Sequence, residues 1–434
     1  MIYRYFMIAV FLFTVIVSSS DGKELNKHWT VTYDERFRIE TWDNAITLDD
    51  SAKNSTTYTR TRTRLGTIWS PSPNVTLGLR LTNAFRYYLA PTGRDFSLNE
   101  IFVDHLYLKL KILSPLPLTC TIGRQDIMLG EGFIVLDGNP LDGSRSAYFN
   151  AVRIDWAIRP NHELIAFACY QEETDDWLPI IHESGQALIE RPETGFGLYY
   201  RGKWSRRDIQ TYLVYLKHDN NKNYTFESNV STIGGRIVQP VFRSIDLAAV
   251  VEAGYQFGEN GNNDHRAWGG YAYLRYNPKW KLQYFFLPVN LTAGMIYLSG
   301  DNPDTDTREG WDPVFARWPK WSEGYIYTQI KEETVAWWSN LVSFNVEFLF
   351  SLTAGANLKL TYHHLIAPYE AGTSSAFPGG DGNSRGELFI GKLSYKFDQS
   401  WSGHLLWEYF DPGDFYFDGA DSYAWMRAEL MYRF

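Results

Sequence analysis

The sequence predicts an all-β fold: a transmembrane antiparallel β-barrel of about eighteen strands, bounded at sixteen to twenty, with short periplasmic turns and long extracellular loops. Three observations carry this. Segments of roughly ten residues with period-two alternation recur along the chain. Aromatic residues make up 17% of it, including 16 Trp and 29 Tyr, the composition that membrane-interface girdles demand. Beyond the first twenty residues no apolar run reaches spanning-helix length, because the richest, LVSFNVEFLFSL, is broken by Asn345 and Glu347.

Residues 1–20, MIYRYFMIAVFLFTVIVSSS, place one basic residue ahead of an apolar stretch from Tyr5 to Val17 and end on small serines. That is the pattern of a signal peptide cleaved near Ser20, too short and wrongly flanked to be a membrane helix. Residues 21–434 are then expected to form one barrel domain, exported to the bacterial outer membrane.

The first strand, WTVTYDERFRIE, puts Asp34, Arg36, Arg38 and Glu40 on one face, and a long polar stretch from Thr41 to Thr57 follows it. The second, YTRTRTRLGTIW, sets Arg60, Arg62 and Arg64 on one face at spacings of about 7 Å. Adjacent guanidiniums at that distance repel by about 0.6 kcal/mol in water and by a few kcal/mol at a protein-like dielectric. A single Arg at the bilayer midplane costs about 2–4 kcal/mol, so the row has to face the lumen. After the short SPSPN comes VTLGLRLTNAFRY, whose lipid face is Val75, Leu77, Leu79, Leu81 and Phe85, with Arg80 and Arg86 inward. Three adjacent strands thus build a cationic wall, partly neutralised by Asp34 and Glu40.

Long and short connections keep alternating. The strand from Val75 leads to APTGRDFSLNE, and that from Ile101 to ILSPLP. TCTIGRQ leads to an insertion from Met128 to Phe149, AVRIDWAI to RPNH, ELIAFACY to the acidic stretch Gln171 to Glu193, and GFGLYYRG to KWSRRD. Further strands are expected near Ile209, Thr232, Ile245, His265, Leu291, Val335, Leu352, Gly386, Ser402 and Ser422. The resulting count of eighteen is even, which leaves both ends periplasmic. In SIDLAAVVEAGYQFG the set Ile245, Leu247, Ala249, Val251, Ala253, Tyr255 and Phe257 faces lipid, while Asp246, Glu252 and Gln256 face inward. Glu35 and Asp104 break the pattern by falling on nominal lipid faces, which places them near a rim or at a β-bulge. The connections NPKWKLQYFFLPVN and SFNVEFLFS are the hardest to delimit. The last strand, SYAWMRAELMYRF, alternates Ala424, Met426, Ala428, Leu430 and Tyr432 with Arg427, Glu429 and Arg433. It ends on Phe434 and resembles the closing strand that barrel-assembly machinery recognises.

Other function classes are disfavoured. A net charge of −9 argues against nucleic acid, so polyanion binding has to come from a local arrangement. Two cysteines, Cys120 and Cys169, are too few for a disulfide scaffold. No nucleophile elbow or zinc motif is present, so an enzyme is not expected, although His105 or His404 beside a serine is the arrangement a barrel-embedded hydrolase would use. No cofactor is expected and no metal site is assigned. The acids of DNPDTDTREGWD (Asp301, Asp304, Asp306, Glu309, Asp312) and of QEETDDW (Glu172, Glu173, Asp175, Asp176) are weak calcium candidates without EF-hand spacing. His363 and His364 fall on opposite strand faces and cannot share a metal.

Several phrases resemble the alginate export family of outer-membrane proteins: ERFRIETWDN, IGRQDIMLGEGF with LDGSRSAYFNAVRI, STIGGRI, YLSGDNPDT, WDPVFARWP and YFDPGDFY, in family order over nearly the whole chain. The resemblance implies a barrel with an arginine-rich lumen that passes an anionic, alginate-like polysaccharide, with loops narrowing or plugging the pore. On matching positions it implies Arg36, Arg38, Arg62, Arg124, Arg145, Arg153 and Arg236 as substrate-binding residues. Arg60, Arg64, Arg80 and Arg86 join them on strand parity alone. The implied partners are outer-membrane lipid, the barrel-assembly machinery, the polysaccharide and periplasmic export partners. The alternative is an anion-selective general porin for small solutes.

Overall fold

A computed structural model describes residues 22–52, 55–92, 97–112, 115–137, 148–182, 189–242, 244–279, 287–316, 321–322, 324, 339–370 and 379–434. The proposed signal peptide, Arg145 and the strand position Val335 lie outside the described residues. Eighteen strands form the wall: β1 (Trp29–Asp43), β2 (Thr56–Ser72), β3 (Val75–Ala90), β4 (Ser97–Ile112), β5 (Leu118–Gln125), β6 (Phe149–Arg159), β7 (His162–Gln171), β8 (Glu193–Trp204) and β9 (Arg207–His218) make its first half. The second half is β10 (Ser228–Pro240), β11 (Leu247–Asn260), β12 (Asn263–Tyr276), β13 (Asn290–Leu298), β14 (Leu341–Ser351), β15 (Ala356–Ile366), β16 (Ser384–Lys396), β17 (Trp401–Pro412) and β18 (Tyr423–Arg433). Each pairs antiparallel with the next, and β18 pairs with β1 from Asp34↔Arg433 to Asp43↔Ala424, so the sheet closes. The seam extends one residue further: Tyr33 and Phe434 exchange backbone hydrogen bonds of 3.0 and 3.1 Å, and their rings stack at 5.6 Å.

Alternation along each strand sets the two faces. In β11, Val251 and Phe257 are exposed while Glu252 and Gln256 are buried; in β3, Leu77, Leu79 and Leu81 are exposed and Thr82 and Ala84 buried. Phe37, Ile39, Leu65, Ile154, Phe196, Ile233, Phe344 and Leu405 continue this apolar outer surface around the wall. A soluble protein does not present so large a contiguous apolar surface, whereas hydrocarbon solvates it. Among the described residues no helix is long and apolar enough to cross a membrane; crossing is left to the strands.

Long connections gather at one end (44–55, 91–96, 126–148, 172–192, 219–227, 299–340, 367–383, 413–422) and short ones at the other, with two exceptions. Residues 261–262 make a tight turn on the long-loop side, where Gly261 supplies the positive φ of 63° that such hairpins need. Residues 277–289 make a long connection on the short-turn side. Asp104 is explained by a bulge: Arg80 pairs with His105 and Leu81 with Val103, which skips Asp104 and turns it inward to full burial. Glu35 stays on the outer face near the β1–β18 seam, where Tyr33 Oη and Thr63 Oγ1 donate to it at 2.9 and 2.7 Å.

The packed core lies inside the barrel. Residues Ile127–Met128 pair with Leu136–Asp137 as a small ribbon, and Val135 bridges to Phe315 of the 299–316 segment. Phe315 packs on the inward rings of Phe149 and Phe167, and Trp311 stacks on Phe133 at 5.2 Å. Gly269 leaves the room for Trp311, since a Cβ there would lie 2.4 Å from the indole. Gln256 holds the same segment by accepting from the Asp312 backbone N–H at 2.9 Å. Among the described residues, 127–137 and 299–316 thus enter the barrel interior, as loops that narrow the pore would.

Candidate functional site

The interior of β1 to β4 and β18 carries the arginine wall. Register places Arg36 opposite Arg62, Arg38 opposite Arg60 and Arg60 opposite Arg86. Like charges directly across a ladder are destabilising unless compensated, and the compensation is visible. Glu40, with no exposed side-chain surface, sets Oε1 3.8 Å from Arg38, Arg60 and Arg427 alike and accepts from Tyr58 Oη at 3.0 Å. Asp34 takes Arg62 and Arg433, both at 2.9 Å. Asp104 takes Arg80 at 2.8 Å and Arg64 at 3.6 Å, and Glu429 takes Arg38 at 2.5 Å and His404 at 3.2 Å. The bulge that turns Asp104 inward therefore supplies the counter-charge for the end of the RTRTR row.

Arg36, Arg38, Arg60, Arg62 and Arg64 are each only 2–5% exposed. The sequence places this row on the lumen side; in the structure it faces the interior and is covered there. Arg80 is half-buried beside Asp126, and Arg86 lies over the Tyr58 ring at 5.0 Å.

The remaining arginines implied by the resemblance are distributed elsewhere. Arg124 forms two hydrogen bonds with Asp175, at 2.7 and 3.2 Å, donates to Val103 O at 2.8 Å and stacks 3.8 Å over Tyr148. It anchors the loop after β7, whose Ile180–Ile181 segment then pairs with Phe102 and Ile101 of β4. Arg153 pairs with Asp155 two residues along the same inner face. Arg236 of β10 meets Glu131 of the interior ribbon segment, with Tyr271 Oη at 3.3 Å and Glu252 at 3.8 Å. Arg124 thus borders the wall at β4, while Arg153 and Arg236 lie apart from it.

Sequence reasoning did not single out Arg385, Arg427, Glu131 or Glu408. Arg427 shares the inner face with Glu429 by simple parity and packs 4.5 Å from Trp425, so the last strand contained the signal. Arg385 donates to the carbonyls of Ser339 and Asn340 at 3.3 and 3.1 Å. Glu408 accepts from Ser322 Oγ and the Gly324 N–H at 2.7 and 3.0 Å. Both depend on loops returning into the barrel, which no local pattern discloses.

Two of the weak calcium candidates have other partners. Asp301 pairs with Arg308 at 2.7 Å and accepts the Glu309 N–H at 2.8 Å, and Asp175 belongs to Arg124. Among the described residues no three His, Cys, Asp or Glu side chains converge as a metal site. His363 faces Ser343 at 2.9 Å and His364 faces Glu387 at 2.7 Å on the opposite side of β15. His105 pairs with Asp126 at 2.9 Å, and Cys120 and Cys169 are not joined by a disulfide.

The description "Alginate export" belongs to the family whose model matches residues 24–428. Among solved structures, Pseudomonas aeruginosa OpdO is similar with a TM-score of 0.60 and 10% identity, over 94% of this chain and 97% of that one. P. aeruginosa OpdK with vanillate gives 0.57 and 12%, over 93% and 98%. P. aeruginosa OccK11 (OpdR) gives 0.57 and 10%, over 93% and 95%. At such identities these likenesses speak for the fold. No curated protein matches the sequence.

Proposed function

The chain belongs to the alginate export family, and on that premise we propose that this bacterial outer-membrane β-barrel channel passes an anionic, alginate-like polysaccharide along its arginine-bearing interior. The observation that carries the reading is the concentration of Arg36, Arg38, Arg60, Arg62, Arg64, Arg80 and Arg427 on one stretch of inner wall, against Asp34, Glu40, Asp104 and Glu429. Guanidinium groups recognise carboxylates through a planar fork of donors and keep their charge at every physiological pH. Because Arg38, Arg60, Arg62, Arg64, Arg80 and Arg427 are already shared with protein acids, a polymer carboxylate competes for them rather than filling an empty site. Its hold is correspondingly moderate. Conduction needs such weak, repeated contacts, since a ligand bound too well does not leave.

A second reading, an anion-selective porin for small solutes, is favoured by the vanillate in the similar OpdK structure, a small carboxylate. Planar-bilayer recording separates the two. A polysaccharide channel is blocked by short acidic oligosaccharides and much less by neutral ones of equal length; equal or absent block refutes the polymer reading. Assembly is proposed to run through the terminal strand: Phe434 closes the β1–β18 seam, the feature by which barrel-assembly machinery would accept the chain. Periplasmic export partners would meet the short-turn end.

A further inference from the structure

Glu131 stands at the tip of the interior ribbon segment in the sequence Leu129-Gly130-Glu131-Gly132-Phe133. Gly130 and Gly132 both take positive φ, 59° and 79°, a region that suits glycine and few other residues. Space enforces the same choice, because a Cβ on Gly130 would lie 2.8 Å from Tyr199 Oη. The Gly132 N–H closes the turn on Leu129 O at 2.9 Å. This tight turn aims one carboxylate at the wall, where Arg236 and Tyr273 Oη both donate to Glu131 Oε1, the latter at 2.6 Å.

A cavity of about 850 Å³ adjoins this contact. Its lining includes the Pro160–Asn161 turn, which puts it at the periplasmic end, and runs from the exposed Arg159 and Lys203 to Glu131 and Arg236. The Glu131 side chain keeps 27% exposure, so the ion pair is accessible from that cavity. A carboxylate that accepts from a guanidinium and a phenol, as Glu131 does from Arg236 and Tyr273, makes contacts that a uronic-acid carboxylate would also make.

We propose that Arg236 with Tyr273 is a carboxylate-binding subsite for polymer entering from the periplasm, and that Glu131 occupies it as a built-in competitor. The inference rests on the polysaccharide reading above and names where the first exchange happens. A uronate carboxylate arriving past Arg159 and Lys203 takes the place of Glu131 on Arg236, and the glycine-flanked tip is thereby released from the wall. No bond is made or broken covalently; one ion pair replaces another.

The test uses the full-length protein in planar bilayers with a short galacturonate oligomer as probe and a neutral glucose oligomer of equal length as control. Glu131→Gln removes the competitor, so the half-blocking concentration of the acidic oligomer falls about tenfold, the factor for losing one charge-assisted contact. Adding Arg236→Gln to that variant abolishes the gain. Glu131→Ala gives the same direction and serves if the glutamine variant does not assemble, with far-UV circular dichroism confirming the barrel in each. Block of the wild type with an unchanged half-blocking concentration in both Glu131 variants overturns this inference while leaving the polymer reading intact. Absence of block in wild type and variants alike overturns both.

Discussion

Replacing Glu40 with glutamine removes one negative charge from between three guanidiniums. Its Oε1 lies 3.8 Å from nitrogen atoms of Arg38, Arg60 and Arg427, and the carboxylate has no exposed surface. At an effective dielectric constant of about 20, each of those contacts carries roughly 4 kcal/mol of gross attraction. Desolvation of the buried carboxylate offsets most of the sum, and breaking a buried ionic group by deleting one partner costs about 3–5 kcal/mol in practice. Glu40→Gln is therefore expected to lower barrel stability by about 3–5 kcal/mol, with Arg38 and Arg60 left facing each other across the β1–β2 ladder. Equilibrium urea unfolding in phospholipid vesicles measures it. A loss below about 1 kcal/mol would mean that the wall behaves as a set of hydrated surface charges, and the reasoning about its compensation would be wrong.

Changing Arg60, Arg62 and Arg64 together to glutamine should reduce anion selectivity, read as a shift of reversal potential in a salt gradient, while the barrel still assembles; unchanged selectivity leaves the row as wall bracing. Asp175→Asn should free the loop after β7 from Arg124 at a local cost of about 3–5 kcal/mol, visible as faster proteolytic cutting within 172–192. Leu79→Arg, on the outer face, should destabilise by up to about 2–4 kcal/mol according to its depth in the bilayer, whereas a neutral result places that face out of contact with lipid. Deleting Phe434 removes the terminal pair with Tyr33 and should lower the yield of assembled barrel in vivo, measured as heat-modifiable protein in outer membranes.

Much of the wall was legible because a β-barrel writes its geometry locally. Period-two alternation makes Arg60, Arg62 and Arg64 share a face, and the energetic cost of arginine in hydrocarbon decides which face it is. The same parity assigned Glu252 and Gln256 inward, and both are buried there. Connection lengths gave the strand order, apart from the tight turn at 261–262 and the long periplasmic connection at 277–289, where length no longer tracks the side of the membrane, and apart from SFNVEFLFS, read as holding a turn, which runs inside β14, with the turn at 352–355.

What parity cannot supply is the partner across the bore or the path of a loop. Asp104 is outward by counting and inward in fact, since one skipped residue in the β3–β4 register reverses its face. Arg124 and Arg236 read alike in sequence, yet one anchors an outer loop through Asp175 and the other holds the tip at Glu131. The sequence by itself determined a closed membrane barrel with arginines turned inward, because side-chain direction in a strand and the solvent preference of each face are local properties. Only the tertiary structure decided how those charges are covered and balanced, because ion pairs join residues hundreds of positions apart, as Arg38 and Glu429 do, and depend on closure and on loops folding back into the lumen.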